Sequence, residues 1–224
     1  MSGFPGAVGV SQLCVYAGGG SPHLHTASTE GYVVLRGGGT LSTLGGDGPG
    51  EHPLEPGTVL WFTPGTVHRL VNPGDDLEIL VVMQNAGLPE AGDAVLTFPA
   101  DVLADPEAYA RAAAAPRTEE EAARRRDLAV EGFEALRERV RREGPSAMKD
   151  LYEAAARLVA PRVEGWRGIW EERVLAQARR TAAHLDALAA GDSSHLTESS
   201  VTRAAPPERR FGMCGRLRAW DWTS

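Results

Sequence analysis

Residues 23–30 read His-Leu-His-Thr-Ala-Ser-Thr-Glu, and the spacing of the two histidines and the glutamate decides how the first part of the chain is built. Successive side chains of a strand point to opposite faces, so a strand here turns His23 and His25 to one side, within reach of a single ion. The polar run after them allows an antiparallel turn, and Glu30 then opens the next strand with its carboxylate beside the imidazole pair. His68 supplies a fourth ligand from a distant strand, as closing a barrel around an ion requires. Three neutral nitrogens and one carboxylate suit a divalent transition metal, Fe, Ni, Mn, Cu or Zn, with positions left open for water or substrate.

Around this stretch the sequence alternates short apolar runs with turn signals. Strands are expected near 12–16, 31–35, 40–44, 58–62, 68–71, 78–84 and 94–98, separated by Gly-rich or Pro-rich segments at 18–20, 37–39, 45–50, 64–65 and 72–74. Many short strands at such spacing predict a small antiparallel barrel or sandwich, with a ligand cavity inside it. After residue 100 the period changes. Thr118 can cap a helix with Glu121 at its third position, and Ala129, Phe133, Leu136 and Val140 recur at helical steps until Gly144 and Pro145. A second helix is expected over 146–159. A third, over 162–190, carries Trp166, Ile169, Trp170, Val174, Leu185 and Leu188 on one stripe and stops at Gly191. The expected division is therefore 1–100 barrel, 101–191 helical extension, and 192–224 linker and tail. Arg216, Arg218, Trp220 and Trp222 in that tail are read as docking on a surface.

Composition bounds the function. The 224 residues are 42% hydrophobic and 24% charged, which excludes disorder as the main state. No run approaches the roughly 20 apolar residues of a membrane span. The first ten residues lack the features of a secretory leader, so a cytoplasmic location is expected. Cys14 and Cys214 fit neither a disulfide framework nor a zinc-finger spacing and are read as reduced thiols. The net charge of −7 falls in the first part, where only Arg36 and Arg69 are basic. No basic surface is presented, so no nucleic-acid partner is expected.

In these motifs the chain resembles the cupins. Their first motif places two histidines one residue apart, a glutamate after four more and a glycine after a further six, matched by His23, His25, Glu30 and Gly37. Their second is matched by Gly57, Gly65, His68 and Asn72, with the proline displaced by one to Pro64. The resemblance covers about residues 12–98. It implies a double-stranded β-helix, or jelly roll, with His23, His25, Glu30 and His68 as metal ligands in its mouth. It further implies a small-molecule substrate and association as a homodimer.

Strand parity extends the candidate site. If Glu30 points inward then so do Tyr32, Val34 and Arg36, with Tyr32 as a proton donor, positioning group or barrel filler and Arg36 as an anion clamp or a rim arginine in a salt link. Trp61, Phe62, Met83 and Gln84 lie on strands expected to wall the pocket, half of them facing outward, while His52, His184 and His195 are read as ordinary surface or structural residues. Fold does not fix function. The leading expectation is a dioxygenase-like oxidoreductase acting on a small organic molecule, with Glu30 as ligand or base. A sugar or sugar-phosphate isomerase or epimerase is the runner-up, and a non-catalytic metal or small-molecule sensor is the third reading.

Overall fold

A computed structural model describes residues 4–205 and 207–220 of the chain. Its first strands are β1 (Gly9–Val15), β2 (His23–His25), β3 (Glu30–Arg36), β4 (Gly39–Gly45) and β5 (Gly48–Leu54). They continue with β6 (Val59–Phe62), β7 (Val67–Val71), β8 (Glu78–Met83) and β9 (Ala94–Leu96). Helices α1 (Ala100–Ala104), α2 (Pro106–Ala112), α3 (Glu119–Glu143), α4 (Lys149–Val159), α5 (Val163–Trp170) and α6 (Ala176–Ala189) follow. A π-helical turn, Glu171–Leu175, interrupts the expected third helix between α5 and α6. Two short strands, β10 (Arg210–Phe211) and β11 (Gly215–Ala219), come last.

The strands pair antiparallel in two sheets, ordered β10-β11-β1-β8-β3-β6 and β5-β4-β7-β2-β9. Between them lies a buried cluster drawn from both: Leu13, Tyr32, Val34 and Ile79 from the first sheet, Leu41 and Leu70 from the second. This is the barrel interior. The outer face of the second sheet is covered by the helices, where Leu24, Leu44, Val67 and Val95 pack with Phe133, Met148, Leu151 and Trp166. Each such aromatic or aliphatic side chain contributes about 1.5–3 kcal/mol when removed from water. Strand β2 thus alternates between two environments, with its histidines inside the barrel and Leu24 under the helices.

Helix α3 begins as its sequence predicts. Thr118 Oγ1 accepts from the Glu121 amide at 3.2 Å, and Glu121 Oε2 accepts from the Arg117 amide at 2.7 Å. Its approach to the sheet is close enough that a Cβ on Gly132 would stand 2.2 Å from the Thr97 carbonyl oxygen. Helices α1 and α2 lie in a segment that the helical pattern did not single out. Asp105 caps α2 by accepting from the Glu107 and Ala108 amides, with Pro106 in the first turn.

Two expectations are corrected. Residues 45–50 are not a loop: β4 turns directly into β5, pairing Gly45 with Gly48, because β5 is an edge strand on which Pro49 and Pro53 need donate nothing to the ladder. Nor is the chain after residue 191 merely linker and tail, since β11 pairs with β1 and extends the first sheet. Trp222 lies outside the described residues. Both cysteines are unpaired, as expected. Among the described residues no helix is long and apolar enough to cross a membrane.

Candidate metal centre

His23, His25, Glu30 and His68 come together as the sequence predicts. All four are buried, and each offers a ligand atom within 4.8 Å of the others. The three histidines stand on the second sheet, where His23 of β2 is directly opposite His68 of β7. Glu30 comes from the first residue of β3 in the facing sheet. The barrel therefore closes around the site, with nitrogen donors on one wall and the carboxylate on the other.

Each imidazole is oriented by its Nδ1. His23 Nδ1–H donates to the Ser21 carbonyl at 2.9 Å and His68 Nδ1–H to the Thr66 carbonyl at 3.2 Å. His25 Nδ1 lies 2.6 Å from Asp93 Oδ1. Because carbonyl and carboxylate oxygens only accept, all three Nδ1 atoms carry hydrogen, and the three Nε2 atoms are left to face inward. Nε2 of His25 and of His68 each stand 3.2 Å from Glu30 Oε2.

That arrangement leaves inward-facing polar atoms without a partner. Glu30 Oε2 and His68 Nε2 are buried and without a hydrogen-bond partner, two acceptors pointing at one another. Such atoms rarely stay unpartnered in a native interior. A divalent transition metal held by His23, His25, Glu30 and His68 would satisfy both. The donor set fits the group that the sequence implies.

The electrostatics agree with the geometry. Burial, reinforced by the neighbouring His68 and His25, holds His23 well below the usual imidazole range, so it is neutral with its lone pair available. For His25 burial also opposes charge, but Asp93 and Glu30 outweigh it, and the ring is pushed up to about 10. Burial raises the Glu30 carboxyl, yet His68 and His25 hold it well below the carboxylate range. Burial first, then the Glu30 charge, pushes the Tyr32 phenol well up, so it remains a hydrogen-bond donor.

Beside the ligands opens a cavity of about 170 Å³. Tyr32 and Met83 line it as expected, along with Leu13 and Val81, while Phe62 lays its ring 4.4 Å from that of His68. Three candidates are corrected. Arg36 does not face the ion: a register shift after Val34 breaks the parity, and the side chain is 68% exposed, paired with Glu78 at 2.8 Å. Trp61 stands opposite Gly31 on the outward parity and is 71% exposed. Gln84 follows the end of β8 at the surface, where its Oε1 accepts from the Thr29 amide. Two contributors escaped the sequence reading altogether. Asp93 lies 68 positions from the histidine it orients, and residues 210–219 supply one side of the cavity.

A barrel of facing antiparallel sheets that encloses three histidines and a glutamate gives a double-stranded β-helix fold with a candidate metal site. Residues 12–83 match the family model described as the cupin domain, and the helices lie C-terminal to the matched stretch. No curated protein matches the sequence. Among solved structures, the chain is similar to a putative sugar phosphate isomerase from Acidithiobacillus ferrooxidans, 28% identical, with a TM-score of 0.30. That match covers 34% of this chain and 49% of the other, so the chain spans about half the length of that protein. It is also similar to a cupin protein from Bacteroides fragilis, 26% identical over 39% of this chain and 70% of that one, TM-score 0.31. A predicted oxalate decarboxylase from Thermotoga maritima is 26% identical over 34% of this chain and 64% of its own, TM-score 0.29.

Proposed function

We propose that this protein is a metal-dependent oxidoreductase of dioxygenase type acting on a small, largely uncharged organic molecule. The observation that carries this reading is the opening of a buried three-histidine, one-glutamate centre onto an apolar cavity. A bound Fe, Ni, Mn or Cu ion would supply Lewis acidity and one-electron chemistry toward dioxygen. The protein's own groups do the rest. Leu13, Val81 and Met83 exclude water and receive the body of the substrate. Tyr32, held protonated, donates a hydrogen bond to a substrate oxygen, and Glu30 is the one carboxylate in the centre able to accept a proton from a substrate hydroxyl. A molecule with adjacent hydroxyl and carbonyl groups suits this layout.

The isomerase reading is favoured by one observation, the proximity of Tyr32 and Glu30 as a proton-relay pair. Against it stands the loss of Arg36 from the cavity, which leaves only rim-exposed Arg210 to hold a phosphate dianion. We also infer a homodimer through the uncovered outer face of the first sheet, where Leu35, Val59 and Trp61 are exposed.

The test is elemental analysis of protein purified without added metal, beside the His23→Ala/His25→Ala double variant, followed by oxygen-uptake assays with hydroxy-ketones and catechols. Near-stoichiometric Fe, Ni, Mn or Cu, lost in the variant and accompanied by oxygen uptake, supports the oxidoreductase. Zinc alone with no uptake moves the reading to the isomerase, and no metal even after reconstitution overturns both.

A further inference from the structure

The ligand set is complete within residues 23–68, yet one wall of the cavity beside it comes from the far end of the chain. Strand β11 pairs with β1 from Ser11↔Ala219 to Val15↔Gly215 and sets Leu217 opposite Leu13, which is buried in the barrel. Leu217 therefore faces inward. Together with Met213 and Cys214 it lines the cavity that holds His23, His25 and Glu30. Met213 and Leu217 pack on the inner cluster but are only partly buried, as side chains bordering an open cavity should be.

This wall is fixed in place. The Tyr16 amide donates to the Cys214 carbonyl at 3.1 Å and the Ser21 amide to the Met213 carbonyl at 3.0 Å. From the helical side, buried Arg125 donates through Nη2 to the Gly212 carbonyl at 2.7 Å. The seam closes at backbone distance: a Cβ on Gly20 would meet Cys214 at 2.6 Å, and one on Gly215 would stand 2.0 Å from the Cys14 carbonyl oxygen. A segment so held moves as part of the barrel and confines whatever binds there.

We propose that the C-terminal wall formed by Met213, Cys214 and Leu217 sets the size limit and the apolar character of the ligand that reaches the metal centre. The inference rests on the metal-site reading given above. A cavity of about 170 Å³ is close to the roughly 150 Å³ that accommodates benzene in an engineered protein interior. Its walls toward Met213 and Leu217 are hydrocarbon and thioether, its inner polar end is the ligand cluster, and the exposed Glu90 and Arg210 also line it. The ligand class is thus a compact molecule of about one six-membered ring, with its oxygen atoms at the end facing Glu30 and its carbon body against the C-terminal wall.

The experiment uses the full chain loaded with cobalt(II), whose visible absorption reports ligation, and two chelating probes of different bulk, acetohydroxamate and benzohydroxamate. Cobalt stoichiometry is measured first. Leu217→Ala is expected to raise the affinity for benzohydroxamate relative to acetohydroxamate about tenfold, the lower end of what one methylene is worth in an apolar pocket. Leu217→Trp is expected to lower the same ratio at least about tenfold with cobalt retained. Met213→Ala repeats the enlargement from the neighbouring position should a Leu217 variant not fold. An unchanged ratio in variants that hold cobalt overturns the inference alone. Failure of the unaltered protein to take up cobalt overturns the metal-site reading and this inference with it.

Discussion

Asp93 Oδ1 sits 2.6 Å from His25 Nδ1, a contact between two fully enclosed groups that face away from the centre of the ligand cluster. The carboxylate fixes the tautomer of His25, aims its Nε2 inward and raises the basicity of that nitrogen. Asp93→Asn keeps the shape and removes the charge. It is expected to weaken metal retention by about 10–100-fold while leaving the fold intact, measured by competition against a chromogenic chelator alongside circular dichroism. Retention equal to that of the unaltered protein would show that His25 needs no outer partner.

How much of this centre was legible in the sequence depended on distance along the chain. His23, His25 and Glu30 fall within one strand-turn-strand, where parity alone places them together, and His68 follows from the second motif. Asp93 could not be found that way, because nothing local marks an aspartate whose partner lies 68 positions back. The same holds for Leu217 and Met213, brought to the cavity by a pairing with β1 that no periodicity signals. Arg36 was misplaced for a different reason: parity counting assumes an unbroken strand, and the register slips after Val34. Strand β5 was hidden by its own composition, since glycine and proline read as turn residues yet are tolerated on an edge.

Proton and metal compete for His25. Without an ion its pKa is raised from 6.5 to about 10, so its contribution to stability is fully present below about pH 6.5 and is lost as the pH rises toward 10. The metal-free protein should therefore lose thermal stability across that window. Metal affinity should move the opposite way, rising with pH because the ligand must give up its proton. Melting temperatures in chelator from pH 6 to 10, together with calorimetry in buffers of different ionisation enthalpy, measure both. Metal binding that releases no proton at pH 7 would contradict the assignment of His25 as a ligand.

Gly132 separates helix propensity from packing. In an exposed helix, Gly→Ala stabilises by about 1 kcal/mol. Here the new Cβ would lie 2.2 Å from the Thr97 carbonyl oxygen, and that contact is with backbone, which cannot swing aside. Packing wins, so Gly132→Ala is expected to destabilise by about 1–3 kcal/mol, the range for overpacked cores. Urea unfolding monitored by tryptophan fluorescence gives the sign directly. A stabilised variant would mean that α3 does not sit against the second sheet as closely as described.

The outer face of the first sheet tests the dimer. Register places Val59, Val33 and Leu80 in one cross-strand row and Trp61, Gly31 and Val82 in the next. Val59 is 61% exposed and Trp61 71%, on a strand that ends its sheet. Such an apolar, uncharged surface can meet its own copy about a two-fold axis without opposing like charges, and it leaves β6 with a free backbone edge. The apolar faces of the helices pack on the other sheet, and Val59 and Trp61 stay exposed among the described residues. Trp61→Lys with Val59→Lys places two cations in each copy at the centre of that contact. Sedimentation equilibrium should report a dimer for the unaltered protein and a monomer for the double variant, with metal content unchanged because both side chains point away from the ligands. A monomeric unaltered protein at tens of micromolar would remove this face as the dimer surface, and a double variant that remains dimeric would move the contact elsewhere.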